Sequence, residues 1–325
     1  MEPDPNLCKE FLRACQSGDL SRVKFLREKY EIPDWTNFQH DISGDTALHL
    51  AAREGHLEIV QFLCEDWQMT DSCNNKVDVT NKDMKRPLHE AAQFSHNDII
   101  KYLLSQGLCS RKTIPMSCAQ VDSLKRGDWT PLMLACTKNV SEACKCIETL
   151  LDANANPQLR NKDGWTPLLL VSRSGDAEGF KLLMNKSSEL LVDKSKNGRT
   201  AWHIAAFHGH RNIIDQLMES IPWNINVRDS SGSTPLHESV KNKDFSIFYH
   251  LIKLGADPKA VDNVGQTILH LAALTGNKNV IEYVIKKELI DIHAKGCFEV
   301  TPLVAARRSK QAEAVETLLK LGANR

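Results

Sequence analysis

Twelve histidines and ten cysteines give this chain ample material for metal or nucleophilic chemistry, so their spacing decides what they can do. His49, His89, His203, His237 and His270 each stand three positions after Thr46, Arg86, Thr200, Thr234 or Thr267. At so regular a place in a repeated motif, a structural hydrogen-bonding role is expected of all five, not a metal or catalytic one. His208 and His210 have the two-residue spacing that chelates a metal from a strand, but they lie at a helix turn, where that spacing diverges. No C-x-x-C pair occurs, and Cys144 and Cys146 are the closest two cysteines. No Gly-rich phosphate loop, H-E-x-x-H or G-x-S-x-G is present, and no nucleophile, base and orienting group stand together. Neither an enzyme active site nor a metal or cofactor site is expected.

The elements that must carry these residues repeat along the chain. Residues 197–218 read as two short helices and a turn. Thr200 is suited to cap the first, Gly209 to stop it, and Ile213, Ile214, Leu217 and Met218 fall at helical spacing in the second. The same unit restarts at Thr46, Arg86, Thr130, Thr166, Thr200, Thr234, Thr267 and Thr301. Its cleanest copies read Thr46-Ala-Leu-His49-Leu-Ala-Ala and Thr267-Ile-Leu-His270-Leu-Ala-Ala. A T-P-L-H-x-A motif recurring with a period of about 33 residues resembles the ankyrin repeat. That resemblance implies an all-α solenoid of helix pairs with hairpin-like finger loops. Such a stack grows by layers, so residues 1–325 are expected to form a single solenoid.

The cap is expected over about residues 5–36, around Gly18-Asp19, and repeats near 42, 82, 126, 162, 196, 230, 263 and 297. Insertions at residues 65–81 and 106–128 break the period, and the longer one is a candidate recognition loop over residues 109–123. The turn between helices carries Gly55, Gly175, Gly209 and Gly276, against Ser95, Asn139, Lys243 and Lys310 in the other copies. A left-handed turn at those four costs on the order of 1 kcal/mol each. The chain stops just after a second-helix pattern, so Val315, Leu318, Leu319 and Leu321 are expected to need one more unit as cover.

Charge is balanced, with 41 basic and 41 acidic residues, which argues against a general polyanion binder and so against direct nucleic-acid binding. No apolar run approaches the roughly 20 residues of a membrane span, and the acidic N-terminus lacks a signal-peptide core. A reduced setting is expected, cytoplasmic with the nucleus as a second location, and a monomeric state.

In ankyrin units the residue before each Thr lies near the finger tip. Here it reads Asp45, Lys85, Trp129, Trp165, Arg199, Ser233, Gln266 and Val300. Trp129 and Trp165 fall in consecutive repeats, with Lys125, Arg126, Arg160, Lys162, Lys194 and Lys196 around them. Trp and Arg are enriched at binding hot spots, so Trp129, Trp165, Lys125, Arg126 and Arg199 are the candidate partner-binding residues. The alternative is that each tryptophan packs on its own hairpin and the cations form a solvated rim.

A narrower resemblance rests on Lys85-Arg-Pro-Leu-His-Glu-Ala-Ala92, Asp128-Trp-Thr-Pro-Leu-Met133 and Asn161-Lys-Asp-Gly-Trp165. These stretches are similar to the ankyrin repeat domain-containing protein 16 family, while the insertion at 106–128 and an end about one repeat earlier depart from it. The resemblance implies a protein cofactor of alanyl-tRNA synthetase that accepts misactivated serine on lysine. Of the accepting lysines it implies, one falls on Lys162 and one on Arg126, which carries no amine nucleophile, with Lys125 beside it. The third is nearest to Lys194. The competing expectation is a protein-interaction scaffold, or an inhibitor of a signalling protein, without covalent chemistry.

Overall fold

Thr130, Thr166, Thr234 and Thr301 each cap a helix whose first residue is proline. Proline fits there because the first helical N–H has no intrahelical partner to lose and φ is already set. The structure, a computed structural model, describes residues 4–32, 34–65, 76–106, 121–242 and 244–324. The chain divides into two compact units, Met1–Ser187 and Ser188–Arg325. Unit 1 holds α1 Pro5–Ser17, α2 Leu20–Tyr30, α3 Ala47–Glu54, α4 Leu57–Glu65, α5 Pro87–Gln93, α6 Asn97–Gln106, α7 Pro131–Ala135, α8 Ser141–Asp152, α9 Pro167–Ser174 and α10 Ala177–Lys186. Unit 2 holds α11 Ala201–His208, α12 Arg211–Ser220, α13 Pro235–Lys241, α14 Phe245–Lys253, α15 Ile268–Thr275, α16 Lys278–Lys286, α17 Pro302–Arg308 and α18 Ala312–Lys320. The expected all-α architecture is what the structure has, with no strand among the described residues.

In unit 1 the odd-numbered helices pack successively on one another and the even-numbered ones do likewise, giving two layers, and unit 2 repeats the arrangement. Small residues set the approach. Ala51 and Ala52, Ala91 and Ala92, Ala205 and Ala206, and Ala272 and Ala273 are all fully buried, and no longer side chain holds neighbouring helices apart there. Leu48, Leu132, Leu168, Leu236 and Leu269 fill the space beside them, and Trp202 takes the same place in α11. α1 and α2 form the expected first pair, with Gly18 left-handed between them and Asp4 and Asp19 capping through their carboxylates.

Gly55, Gly175, Gly209 and Gly276 end α3, α9, α11 and α15 in the left-handed conformation. Ser95 and Lys310 keep that left-handed geometry without being glycine. The Cβ crowding this brings costs each of them roughly 1–2 kcal/mol. Asn139 does not adopt it. Its repeat is two residues longer than its successor, 36 against 34, and that slack lets α7 end at Ala135 with Cys136 still right-handed. Lys243 lies outside the described residues, as do most of the insertion at 65–81 and residues 107–120 of the longer one. At the chain's last pair Leu318 is buried, whereas Val315 and Leu319 line an open cavity with Arg307 and Lys310.

A candidate protein-binding face on the finger loops

In five of the repeats a histidine fastens the finger that follows. His203 Nδ1 accepts from the Thr200 N–H at 3.2 Å, so its proton sits on Nε2, which donates to the Ser233 carbonyl at 2.9 Å in the following finger. His49 does the same to Lys85 at 2.9 Å, His237 to Gln266 at 3.3 Å and His270 to Val300 at 3.0 Å. His89 reaches both Ser123, at 3.0 Å, and Trp129, at 3.2 Å. Burial holds all five below the ordinary imidazole range, His89 to about 4. The neutral ring is the form that both accepts and donates, so these residues serve structure, as their spacing predicts.

Within a finger, five residues make the turn. Asn81, Asn161, Asp229 and Asp262 stand first, and one side-chain oxygen of each accepts two backbone N–H groups across the loop. The fourth residue is left-handed, usually glycine: Gly164, Gly198, Gly232 and Gly265. Two fingers depart. Lys125 and Gly296 stand first in theirs and offer no such acceptor, and there the third residue, Gly127 or Phe298, is left-handed as well. Glycine adopts that conformation freely. Phe298 and its neighbour Glu299, both left-handed, do not, and the strain amounts to roughly 1–3 kcal/mol each.

The fingers of unit 1 are also laced tip to tip. The N–H of Lys82 donates to Ser43, that of Arg126 to Asp83 and that of Lys162 to Gly127, at 3.0, 2.9 and 3.0 Å. In unit 2 Ser230, Asn263 and Cys297 repeat the pattern toward Asn197, Ser231 and Val264. The second residue of each of these fingers thus has a fixed backbone and an exposed side chain. Arg126 and Lys162 are both exposed, and Arg126 pairs with Asp83 at 3.5 Å.

Trp129 and Trp165 are half-buried in this row. The Lys125 ammonium lies 5.6 Å from the Trp129 ring centre, and the Arg173 guanidinium, from the last turn of α9, 5.9 Å from that of Trp165. The edge of the Trp129 indole lies against Gly127, where an added Cβ would stand 3.3 Å from Cδ1. Burial, then the charge of nearby Lys85, pushes Lys125 below the ordinary lysine range against the opposing pull of Asp83 and Glu90. Lys85 itself pairs with Glu90 at 3.0 Å. Unit 1 therefore brings together Lys125, Arg126, Trp129, Lys162 and Trp165. Arg173 joins them unannounced by the sequence, where the only signal was a cation near the end of α9.

Arg199 and Lys194 belong to unit 2. Lys194 is exposed, but Arg199 bonds to the buried carboxylate of Glu238 in α13, with its guanidinium 5.2 Å from the Phe207 ring. Arg199 is thus spent on fastening its own unit. Among the described residues no helix is long and apolar enough to cross a membrane.

Capped helix pairs laced by fingers, repeated within each unit, define a repeat-protein class. The chain belongs to the ankyrin-repeat family. The family described as "Ankyrin repeats (3 copies)" matches residues 11–114, 112–192, 141–229, 187–262 and 236–324. The chain is similar to the transient receptor potential cation channel subfamily A member 1 of Homo sapiens, 26% identical over 291 residues, 76% of this chain and 24% of that one. It is similar also to the B-cell lymphoma 3 protein homolog of Mus musculus, 26% identical over 221 residues, 67% of this chain and 45% of the relative. The nuclear factor NF-kappa-B p105 subunit of Gallus gallus is 30% identical over 113 residues, 33% of this chain and 12% of the relative. The chain thus spans less than half the length of these curated relatives. Ankyrin repeats mediate protein–protein interactions, and their proteins are generally non-enzymatic binding modules.

Proposed function

We propose that this chain is a protein-binding ankyrin-repeat module that acts as a cofactor of alanyl-tRNA synthetase, taking misactivated serine onto lysine before it reaches tRNA. The observation that carries the reading is Lys162, an exposed amine on a finger whose backbone is fixed to the Trp129 finger through the Lys162–Gly127 hydrogen bond of 3.0 Å. Trp129 and Trp165 supply apolar area beside it, the residue type that anchors interfaces.

An aminoacyl-adenylate is a mixed anhydride. A free lysine amine attacks its carbonyl carbon, the bond to the phosphate oxygen breaks, AMP leaves, and the nitrogen loses a proton as the amide forms. A lysine of ordinary pKa is only on the order of one part in a thousand free amine at neutral pH. Proximity and desolvation against the partner therefore have to supply most of the activation. Lys125 starts nearer to that condition, because burial and Lys85 already disfavour its charge. Arg126, beside it, offers no amine, and Lys194 is the remaining candidate acceptor. With this reading go a monomeric state, a cytoplasmic and nuclear location, and no direct contact with nucleic acid or membrane.

The passive alternative, a scaffold or inhibitor of a signalling protein, draws on one observation of its own. Both tryptophans have intramolecular partners, Gly127 and Lys125 for one and Arg173 for the other. Incubation with alanyl-tRNA synthetase, ATP and serine, followed by mass-spectrometric mapping of lysines, separates the two. Seryl adducts on Lys162 that require the synthetase are expected. Binding without an adduct on any lysine leaves the scaffold, and absence of binding removes the synthetase as partner.

A further inference from the structure

The finger that opens with Gly296 differs from the others in three linked ways. Gly296 provides no side-chain acceptor for the turn, and none would fit well, since an added Cβ would stand 3.2 Å from His270 Nε2 and 3.4 Å from the Gly265 carbonyl. Phe298 and Glu299 are consecutive left-handed residues where other fingers rely on glycine. Phe298 is 92% exposed, the most exposed large apolar side chain among the described residues. Strained residues of this kind cluster at ligand clamps and other functional sites.

Behind this tip lies a cavity of about 310 Å³ between the last two fingers of unit 2 and helices α15 and α17. Val264, Leu274, Val300 and Ala305 form its apolar walls, and Phe298 stands on its rim. The electrostatics of the lining are simple. His270 is held neutral by burial and donates to Val300. Glu299, next to the rim, is paired with Lys295. Arg308 is the one formally charged residue of the lining, and among the described residues no carboxylate pairs with it.

We propose that this cavity is a second docking site, separate from the tryptophan face of unit 1, and that it takes a protein segment in which an apolar side chain is followed by an aspartate or glutamate. The apolar side chain enters between Val264, Leu274 and Ala305 with Phe298 closing over it, and the carboxylate meets Arg308. An apolar pocket with one convergent polar group is the usual form of a site that fixes both the depth and the direction of its occupant. An uncompensated guanidinium favours a carboxylate, which it grips through paired N–H donors, and disfavours a cation at the same place.

The test uses the full ¹⁵N-labelled chain and end-blocked pentapeptides Gly-Ser-Leu-Glu-Gly, Gly-Ser-Leu-Lys-Gly and, with a free C-terminus, Gly-Gly-Gly-Ser-Leu. The Glu peptide is expected to shift the amides of Val264, Phe298 and Val300 and the side-chain signal of Arg308, at least ten-fold more tightly than the Lys peptide. Arg308→Glu should reverse that order, and Phe298→Ser should weaken the Glu peptide at least five-fold. Both side chains are exposed, so neither change threatens the fold, and unchanged thermal unfolding verifies this. Equal affinity for the Glu and Lys peptides, shifts confined to unit 1, or binding of the free C-terminus alone would each overturn the proposal.

Discussion

The guanidinium of Arg53 in α3 grips both carboxylate oxygens of Glu90 in α5, at 2.9 and 3.1 Å, and holds Asp45 at 2.8 Å with the same group. Glu90 is fully buried, so this is a charge taken out of water that depends on its partner. Burial alone would raise its pKa, but Arg53 and Lys85 outweigh that and keep it ionised. Removing one side of such a pair costs about 3–5 kcal/mol, while replacing both by apolar groups is often neutral. Arg53→Met should therefore lower the stability of unit 1 by about 3 kcal/mol in urea titration, and Glu90→Met in the same chain should restore part of it, since buried Asp45 still lacks its arginine. Equal losses in the Arg53→Met and double variants would show that Glu90 left without Arg53 carries no penalty, its charge being met by Lys85 alone.

Acid should act on the histidines first. Their folded pKa values lie below the unfolded value near 6.5, so their contribution is complete above about pH 6.5 and is lost as pH falls through the window toward the folded values, about 4 for His89. For His89 that gap corresponds to on the order of 3 kcal/mol. The urea midpoint should be flat between pH 7 and 8 and decline steadily from pH 6.5 to 4.5. A midpoint unchanged down to pH 4.5 would contradict the neutral, hydrogen-bonded assignment.

For the unit 1 face, Trp129→Ala with Trp165→Ala should weaken partner binding by about 2 kcal/mol or more, the loss expected of hot-spot rings. Surface plasmon resonance against alanyl-tRNA synthetase measures it, with circular dichroism to verify the fold. Unchanged affinity would return both rings to packing on their own hairpins, where Gly127 and Arg173 already touch them. Raising salt should slow association more than it speeds dissociation, because Arg126 and Lys162 are exposed at the rim.

Asn161 tests the scaffold under the same face. It is buried at the base of its finger, and its Oδ1 accepts from the N–H of Asp163 at 3.0 Å and of Trp165 at 2.9 Å. Asn161→Ala leaves two N–H groups to find water or go unpaired, at about 1–3 kcal/mol. Asn161→Asp, which repeats the acceptor of Asp229 and Asp262, should retain binding. Hydrogen exchange at residues 161–165 should quicken in the alanine variant only, and equal exchange in both would discount the side-chain acceptor.

The periodic part of this architecture was legible because each motif residue does one local task. Threonine caps, proline starts, histidine ties, and paired alanines permit close packing, so the spacing of Thr, Leu and His already located the helices. The long-range partners were not legible. Arg199 reads as a finger cation like Lys85, and only the arrival of Glu238 from the next pair shows that it is tied down. Arg173 sits within its own helix, with nothing in the sequence to say that Trp165 lies across from it. At Lys125 and Gly296 the missing Asn or Asp was visible, but its backbone consequence, a second left-handed residue, depends on the whole turn.

The three repeats without the imidazole tie place Met133, Leu169 and Val304 where the others place histidine. This divides the two tryptophans. Trp129 is moored through its own carbonyl to His89, while the repeat in front of Trp165 offers only the thioether of Met133 at that position. Protonation of His89 adds a positive charge beside Arg86 and Lys125 and removes the acceptor for the Arg86 N–H. One ring therefore hangs from a proton-sensitive anchor and its neighbour does not. A fall in pH to about 4 would slacken the first finger and leave the second in place, so that only one of the two rings keeps its footing.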